Sequence, residues 1–368
     1  MSEGRRLRAG VVGGGLIAQA AHLPNLRRLG SRFELAALAD PSERIREAMA
    51  ARFAPLRTYA HWEEMLAREE LDCLVVCSPH ATHTEVTLAA LGAGVHVLVE
   101  KPLCMNTADA DAIVRAAGEA ERVVMVGYMK RYDPAVRSAY ERVAPDARAL
   151  RFVDVVTYDP WMARPPFFRE DELVRGEPPS SAASEALSKA EREQVEAAVG
   201  RGDSAAVKAF GYVYLACLVH DVNLVHGALE RGGVQLPLEP VSAGHWAGGR
   251  AASVAWLLPS GGRWHCTWLL LEELEEFREA VSFYAANAVH RLTFPAPYLR
   301  QAPTVLESIG ASAGATTRSV EHALHESYMA ELEHFHDCIA RGVRCETPAE
   351  QARADIEALQ QAFVLAGR

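Results

Sequence analysis

Lys101 is the residue of this sequence that is best placed to do chemistry. It lies in Glu100-Lys101-Pro102, directly after the apolar run formed by residues 95–99. Such a run is typical of a buried parallel strand, and ligands bind beyond the carboxyl ends of parallel strands. An ammonium group there can hold an oxygen atom of a ligand and stabilise negative charge that develops on it. The sequence therefore predicts that Lys101 acts on a bound small molecule.

A glycine-rich turn predicts a second binding feature. The turn is Gly13-x-Gly15-x-x-Ala18, with a strand-like segment before it and a helix-like segment after it. The first glycine of such a turn permits the tight bend, the second lets the backbone approach a pyrophosphate, and the small third residue lets the helix pack closely. The amides of Leu16 and Ile17, at the helix start, are expected to face the phosphates. In this context the pattern predicts dinucleotide binding.

A carboxylate follows this turn at the spacing of a ribose ligand. Asp40 ends the next strand-like segment and follows Ala18 by about 20 residues, as in dinucleotide-binding domains. It can accept hydrogen bonds from both ribose hydroxyls and repels a 2′-phosphate, so NAD is favoured over NADP. Arg44 is the nearby cation that would favour NADP. An alternative role for Asp40 is the N-cap of the helix after Pro41, which is compatible with ribose binding.

Alternating elements position these residues. The first 127 residues predict strands at 8–12, 33–38, around 58, 73–77, 95–99 and 123–126, with helices at 41–53, 62–68, 84–91 and 108–120. Strands that alternate with helices indicate a parallel sheet covered on both faces, here an α/β domain spanning 1–127.

The rest of the chain, 128–368, has a different pattern. Longer strands are predicted at 149–158, 251–258, 263–271, 277–285 and 289–294, with closing helices at 327–340 and 347–366. This pattern predicts an α+β domain with a largely antiparallel sheet. A polar insert of about 160–203 contains Pro165-Pro166 and Pro178-Pro179, then a helix at 183–199 that Gly200 ends. The insert is a solvated surface helix, a lid or an oligomer arm.

Bulk composition excludes several classes of protein. The chain has 368 residues, 49% of them hydrophobic and 23% charged, and a net charge of -10. These values predict two soluble domains and disfavour a nucleic-acid surface. No run approaches about 20 apolar residues and no signal sequence is apparent, so neither a membrane span nor export is expected and the location is predicted to be cytoplasmic. Seven cysteines without a Cys-x-x-Cys pair predict reduced structural thiols rather than disulfides or a metal site.

These motifs together resemble the Gfo/Idh/MocA family of oxidoreductases. The resemblance is carried by the glycine turn, Ala39-Asp40-Pro41, Cys77-Ser78-Pro79-His80-x-x-His83, Glu100-Lys101-Pro102 and Gly127-Tyr128-Met129-Lys130-Arg131-Tyr132. It implies a Rossmann domain, an α+β domain with an open sheet that often forms an oligomer interface, and hence a homodimer or homotetramer. The implied activity is NAD-dependent interconversion of a secondary alcohol and a ketone on a small polyhydroxylated substrate such as a polyol or sugar.

The resemblance also implies roles for individual residues. Lys101 matches the family's catalytic lysine, in a Lys-Pro bond that is often cis, and His220 matches a histidine that takes the hydroxyl proton. A surface lysine and a structural histidine are the alternatives. Positions that line the cofactor in relatives are Ser78, Pro79 and His83, and Glu100 and Lys101 are predicted to contact it as well. Those that contact the substrate are Lys130 and Asp159.

The sequence departs from the family at Ala216. Relatives often have an aspartate there, four residues before the histidine on the same helix face. Asp221 is a poor substitute because it points about 100° away from His220 on a helix. Asn223 and Tyr212 are better placed to join the substrate site.

This departure leaves two other functions open. One is a reaction without net redox change, such as elimination, epimerisation or glycosidic cleavage through a keto intermediate. The other is a nucleotide-binding protein without activity, because a fold alone does not establish catalysis.

Overall fold

The computed structural model describes residues 5–160, 173–297, 299, 302–312 and 314–367. The sequence prediction for Pro165-Pro166 lies outside these residues. The chain divides into two compact units. The first contains Met1–Gly127, Glu170–Gln194 and Tyr328–Arg353, and the second contains Tyr128–Arg169, Val195–Ser327 and Ala354–Arg368.

The described residues form these strands and helices. The strands are β1 (Leu7–Val12), β2 (Phe33–Ala39), β3 (Arg57–Tyr59), β4 (Cys73–Val76), β5 (His96–Glu100), β6 (Val124–Gly127), β7 (Phe152–Asp159), β8 (Pro240–Trp246), β9 (Ala251–Leu257), β10 (Arg263–Leu270), β11 (Arg278–Tyr284), β12 (Ala288–Phe294), β13 (Thr304–Ser312) and β14 (Ala315–Ala323). The α-helices are α1 (Leu23–Arg28), α2 (Glu43–Arg52), α3 (Trp62–Arg68), α4 (His83–Gly92), α5 (Thr107–Ala120), α6 (Pro134–Val143), α7 (Ser181–Val199), α8 (Ser204–Ala206), α9 (Val219–Arg231), α10 (Ser327–Arg341) and α11 (Ala349–Ala366). Wider π-helical turns, Ala18–His22 and Val207–Leu218, precede α1 and α9.

The first unit is built on a six-stranded sheet with the order β3-β2-β1-β4-β5-β6. All of its strand pairs are parallel. Leu74, Val75 and Val76 are each 0% exposed, since both faces of a parallel sheet are covered. The strand order reverses between β1 and β4, which is where doubly wound sheets open a crevice for ligands. The predicted Rossmann architecture is confirmed.

The second unit contains an eight-stranded sheet with the order β14-β13-β12-β11-β7-β10-β9-β8. Its pairs are antiparallel except for β7 and β10, which run parallel. Along β10, buried Trp264 and Cys266 alternate with exposed Arg263 and His265, so the sheet has one packed face and one solvated face. The predicted mostly antiparallel sheet is confirmed.

Three strands of this sheet, β8, β13 and β14, are missing from the sequence prediction. β14 is exposed along most of its length and carries Thr, Ser, Arg and Glu side chains. β8 contains Pro240 and Gly244, residues that weaken strand signals. Because β8 and β14 form the two edges of the sheet, neither needs the apolar run that marks a buried strand.

Helix α7 and the helical stretch Ser204–Arg231 can each be explained by their sequence and burial. Helix α7 ends where Gly200 adopts a φ of 74° and its N–H donates to the carbonyl of Glu196 at 2.8 Å, as the sequence predicts. The stretch Ser204–Arg231 has the length and apolar composition of a membrane span, but 61% of its most apolar window is buried inside the protein. That burial is typical of a core helix.

Candidate functional site

The glycine turn after β1 can be explained residue by residue. Gly13 has a φ of 88°, and a Cβ at this position would lie 2.6 Å from the carbonyl oxygen of Cys77. A Cβ at Gly15 would meet nothing within 4 Å, so the backbone there is open to an approaching group. The helix begins at Leu16, which leaves the first amides of the helix without intrahelical acceptors. The open backbone at Gly15 and the first amides of the helix together form a site that fits the pyrophosphate of a dinucleotide.

Asp40 connects the end of β2 to this turn. Its Oδ2 accepts the amide of Gly14 at 2.7 Å, its Oδ1 accepts the amide of Ser42 at 2.9 Å, and the residue is 7% exposed. Each carboxylate oxygen can accept a further hydrogen bond, so ribose hydroxyls can still be bound. The alternative role of Asp40 as a helix N-cap is wrong. Ser42 is the N-cap of α2, because the helix begins one residue later and the Ser42 hydroxyl reaches the amide of Ile45.

Lys101 follows β5, and its peptide bond to Pro102 is cis. The preceding Glu100 is 6% exposed and bonds His22 Nε2 at 2.7 Å through Oε1, while its Oε2 accepts the amide of Lys101 at 3.2 Å. Burial opposes ionisation of Glu100, but the hydrogen bond from His22 and the charge of Lys101 outweigh it and lower the pKa of this carboxyl. Glu100 therefore carries a negative charge directly behind the lysine.

His83 fixes the two loops that flank Lys101. Its ring is 0% exposed, with Nδ1 2.7 Å from the carbonyl oxygen of Pro102 and Nε2 2.9 Å from that of Ser78. Burial lowers its pKa, and it also lowers the pKa of His80, whose ring lies 5.6 Å from that of His83. The charge of Lys101 acts in the same direction on both histidines. Two neutral imidazoles therefore lie close to the ammonium group.

The sequence-predicted residues of the first unit meet at one edge of its sheet. The glycine turn follows β1, Asp40 follows β2, Ser78 and Pro79 follow β4, Glu100 ends β5 and Lys101 follows it. Carboxyl ends of neighbouring parallel strands lie at the same edge. His83 differs from the others because its ring nitrogens face backbone carbonyls, which makes it a positioning residue for these loops.

A buried carboxylic acid lies behind this edge and was missed by the sequence prediction. Glu331 of α10 is 0% exposed, and neither of its carboxyl oxygens has a hydrogen-bond partner among the described residues. Burial raises its pKa well above the ordinary value, and the charge of Glu100 raises it further. Burial therefore favours the protonated form of Glu331.

Because burial favours the protonated form of Glu331, we expect Glu331→Gln to gain stability relative to the wild type as the pH rises. The native state keeps a proton that the unfolded chain releases above about pH 4.3, so Glu331 costs stability as the pH rises through that value. We expect the free energy of unfolding of the variant to increase relative to that of the wild type as the pH rises above about 5, by up to about 1.4 kcal/mol per pH unit. Urea unfolding at several pH values measures this difference. Exposed Glu119→Gln on α5 is the control, and equal pH profiles for all three proteins would contradict the assignment.

The second unit places Lys130 among buried carboxylates. Its Nζ lies 3.2 Å from Asp221 Oδ1 and pairs with Glu279, while the Thr157 hydroxyl donates to Asp221 Oδ2 at 3.1 Å. Lys130, Asp221 and Glu279 are 7%, 2% and 3% exposed. Burial lowers the pKa of Lys130, but both carboxylates outweigh it, and the net pKa is above the ordinary range. Lys130 is therefore a charged, internally paired residue.

The other predicted residues of the second unit have separate surroundings. Asn223, 1% exposed, donates to Asp355 Oδ2 at 2.7 Å, and His226 bonds Oδ1 of the same carboxylate at 2.6 Å. Tyr212 is 61% exposed, whereas Asp159 at the end of β7 is half-buried. Ala216 and His220 are also half-buried, on consecutive turns of the continuous helical stretch in which the π-helical turn runs into α9.

The sequence contains only weak signals for the partners of these residues. Glu279 lies in a strand of alternating burial, where a carboxylate on the packed face requires a cation. The pair of Asn223 and His226 at helical spacing indicates a shared partner, but nothing near them in sequence identifies Asp355.

Comparisons with known proteins agree with this geometry. Residues 7–128 match the family model described as "Oxidoreductase family, NAD-binding Rossmann fold" under the name GFO_IDH_MocA. A 4-carboxy-2-hydroxymuconate-6-semialdehyde dehydrogenase from a Sphingobium species is 29% identical over 175 residues, which cover 47% of this chain and 52% of the relative. Inositol 2-dehydrogenase 3 from Saccharopolyspora erythraea is 36% identical over 138 residues, or 37% of this chain and 40% of the relative.

Solved structures extend the likeness in fold to the whole chain. GenD2 from gentamicin A biosynthesis, in complex with NAD, has a TM-score of 0.71 and 21% sequence identity, with 100% of this chain and 97% of that chain covered. The matches to the two curated relatives span about half of their length or less. Residues 7–128 therefore match the NAD-binding Rossmann domain of the Gfo/Idh/MocA oxidoreductase family, and over the rest of the chain the likeness is one of fold.

Proposed function

We propose that this protein is an NAD-dependent oxidoreductase that interconverts a secondary alcohol and a ketone on a polyol, a sugar or a related cyclic substrate. The observation that carries the proposal is the convergence of the glycine turn, Asp40 and Lys101 at one edge of a parallel sheet. Relatives with the same domain are named inositol 2-dehydrogenases, which supports a polyhydroxylated substrate.

The residues at this edge fit a dinucleotide. The open backbone at Gly15 suits the pyrophosphate, and the half-buried Ser78 beside Pro79 lies at the switch point of the sheet. The carboxylate of Asp40 suits two ribose hydroxyls and disfavours the additional phosphate of NADP. When bound, the nicotinamide accepts or returns a hydride.

The remaining chemistry is assigned to residues of the chain. Lys101 holds the reacting oxygen through its ammonium group, and the negative charge of Glu100 lies directly behind it. As the oxygen gains negative charge, the ammonium group stabilises it. His220 takes the hydroxyl proton during oxidation and returns it during reduction, because an imidazole exchanges protons near neutral pH.

A substrate panel tests this function. Purified protein with NAD and a panel of inositols, sugars and sugar nucleotides is expected to form NADH with at least one of them. Bound dinucleotide that survives purification, together with product formation that consumes no added NAD, would instead favour the redox-neutral reaction. NAD binding without turnover across the panel would favour a non-catalytic protein.

A further inference from the structure

The segment before α7 lies against the glycine turn of the first unit. The side-chain amide of Gln19 donates to the carbonyl of Val174 at 2.9 Å and accepts the amide of Val174 at the same distance. The same Nε2 of Gln19 also donates to the carbonyl of Gly14 at 2.7 Å. At the far end of α7, Gln194 donates to the carbonyl of Ala81 at 2.8 Å. Val174, before α7, and Gln194, near the end of α7, are therefore both hydrogen-bonded to loops at the carboxyl edge of the parallel sheet, where the glycine turn lies.

The same segment brings a carboxylate to the N-terminus of α2. Glu177 accepts the Ser42 hydroxyl at 2.5 Å through Oε2 and the amide of Arg44 at 3.1 Å through Oε1. A Cβ at the neighbouring Gly176 would lie 2.8 Å from the Ser42 hydroxyl, so the backbone approaches α2 closely. The hydrogen bond from Ser42 is the first cause of a lowered pKa for Glu177, and the charge of Arg44 adds to it. Glu177 is therefore an anion.

The carboxylate of Glu177 interacts with the groups that would bind a 2′-phosphate. In dinucleotide-binding domains, the acid after the second strand binds the ribose, and a nearby arginine accommodates the phosphate of NADP. Here the acid is Asp40. The Ser42 hydroxyl and the Arg44 amide, which follow it, already donate hydrogen bonds to Glu177, and the charge of Arg44 also acts on Glu177. The other nearby arginine, Arg46, donates to the carbonyls of Asp40 and Pro41 at 2.8 Å each.

We propose that Glu177 is a specificity-determining residue that excludes NADP by filling the 2′-phosphate position with its own carboxylate. The inference rests on the proposed function, since it assigns the cofactor choice of the same site. A phosphate of about two negative charges would have to displace the carboxylate and would be repelled by it. NAD has no group at this position, so its affinity does not depend on Glu177.

Dinucleotide titrations with the full chain test this inference. We expect Glu177→Ala and Glu177→Gln each to raise the affinity for NADP by about tenfold and to leave the affinity for NAD unchanged, because both variants remove the charge. The glutamine variant keeps a hydrogen-bonding side chain, so an equal gain in both assigns the effect to charge. Glu185→Ala, at an exposed glutamate of α7, is the matched control and is expected to change neither affinity.

Salt provides a second measurement. Glu177 is exposed, so added salt screens its repulsion and is expected to narrow the difference between NAD and NADP in the wild type more than in Glu177→Ala. An NADP affinity that stays unchanged in both Glu177 variants, in a protein that binds NAD, would overturn the inference and leave the proposed function standing. Failure of the wild type to bind either dinucleotide would overturn both.

Discussion

Replacing Lys101 by alanine is expected to lower the rate of NADH formation by about a hundredfold to a thousandfold, the usual effect of removing one donor from a developing oxyanion. The substituted side chain lies at the end of β5, where Glu100 and the loops held by His83 position it. Because the ammonium group acts on the reacting oxygen, the loss is expected in kcat, with the affinity for NAD unchanged. Initial-rate kinetics and a separate NAD titration measure the two quantities.

Two further variants serve as controls for this experiment. Lys208→Ala removes an exposed lysine of the second unit and is expected to retain full activity. Lys101→Arg keeps a positive charge but replaces a compact ammonium group by a planar guanidinium, so partial activity is expected. Full activity in Lys101→Ala would contradict the role assigned to this residue.

Replacing Lys130 by methionine is expected to destabilise the protein by about 3–5 kcal/mol, because it leaves Asp221 and Glu279 buried without their cation. Methionine fills a volume close to that of the lysine stem, so the loss reports charge rather than a cavity. Chemical unfolding followed by circular dichroism measures the change in the free energy of unfolding.

The buried carboxylates also determine how the stability loss of Lys130→Met depends on pH. Burial raises the pKa of Glu279, and Asp221 raises it further, whereas Lys130 opposes both. Without Lys130 the folded-state pKa of Glu279 rises further, so the loss relative to the wild type grows as the pH rises through the wild-type folded-state pKa of Glu279, about 8, and is smaller below it. Lys189→Met, which breaks the exposed pair with Glu193 on α7, is the control and is expected to change stability by less than about 1 kcal/mol. An equally small loss in Lys130→Met would contradict the buried pairing.

Much of the first unit can be predicted from the sequence because its signals are local. Residues 73–76 form an apolar run that indicates a strand covered on both faces, and the helix after it follows within a few residues. The turn at Gly13 is recognisable because the conformation and the close approach to Cys77 both require glycine. Asp40 is found by its spacing from that turn. Such features depend on neighbours in the chain.

The second unit could be predicted only in part because its contacts are distant in sequence. Lys130 and Glu279 are 149 residues apart, and His226 and Asp355 are 129 apart, so neither pair leaves a local pattern. The edge strand β14 is mostly exposed and has no apolar run to indicate it. The contact between Glu177 and Ser42 is likewise tertiary. The partners of these residues cannot be predicted from the sequence because side-chain pairing, rather than hydrophobic periodicity, brings them together.

The most direct test of the proposed function follows a hydride. Ketones derived from inositols, sugars and sugar nucleotides are incubated with the protein and NADH that carries deuterium at the position from which the hydride leaves. The account predicts that the alcohol product gains this deuterium at its carbinol carbon, and that Lys101→Ala forms far less of it. A product without the label, or labelled alcohol formed equally by Lys101→Ala, would contradict the account.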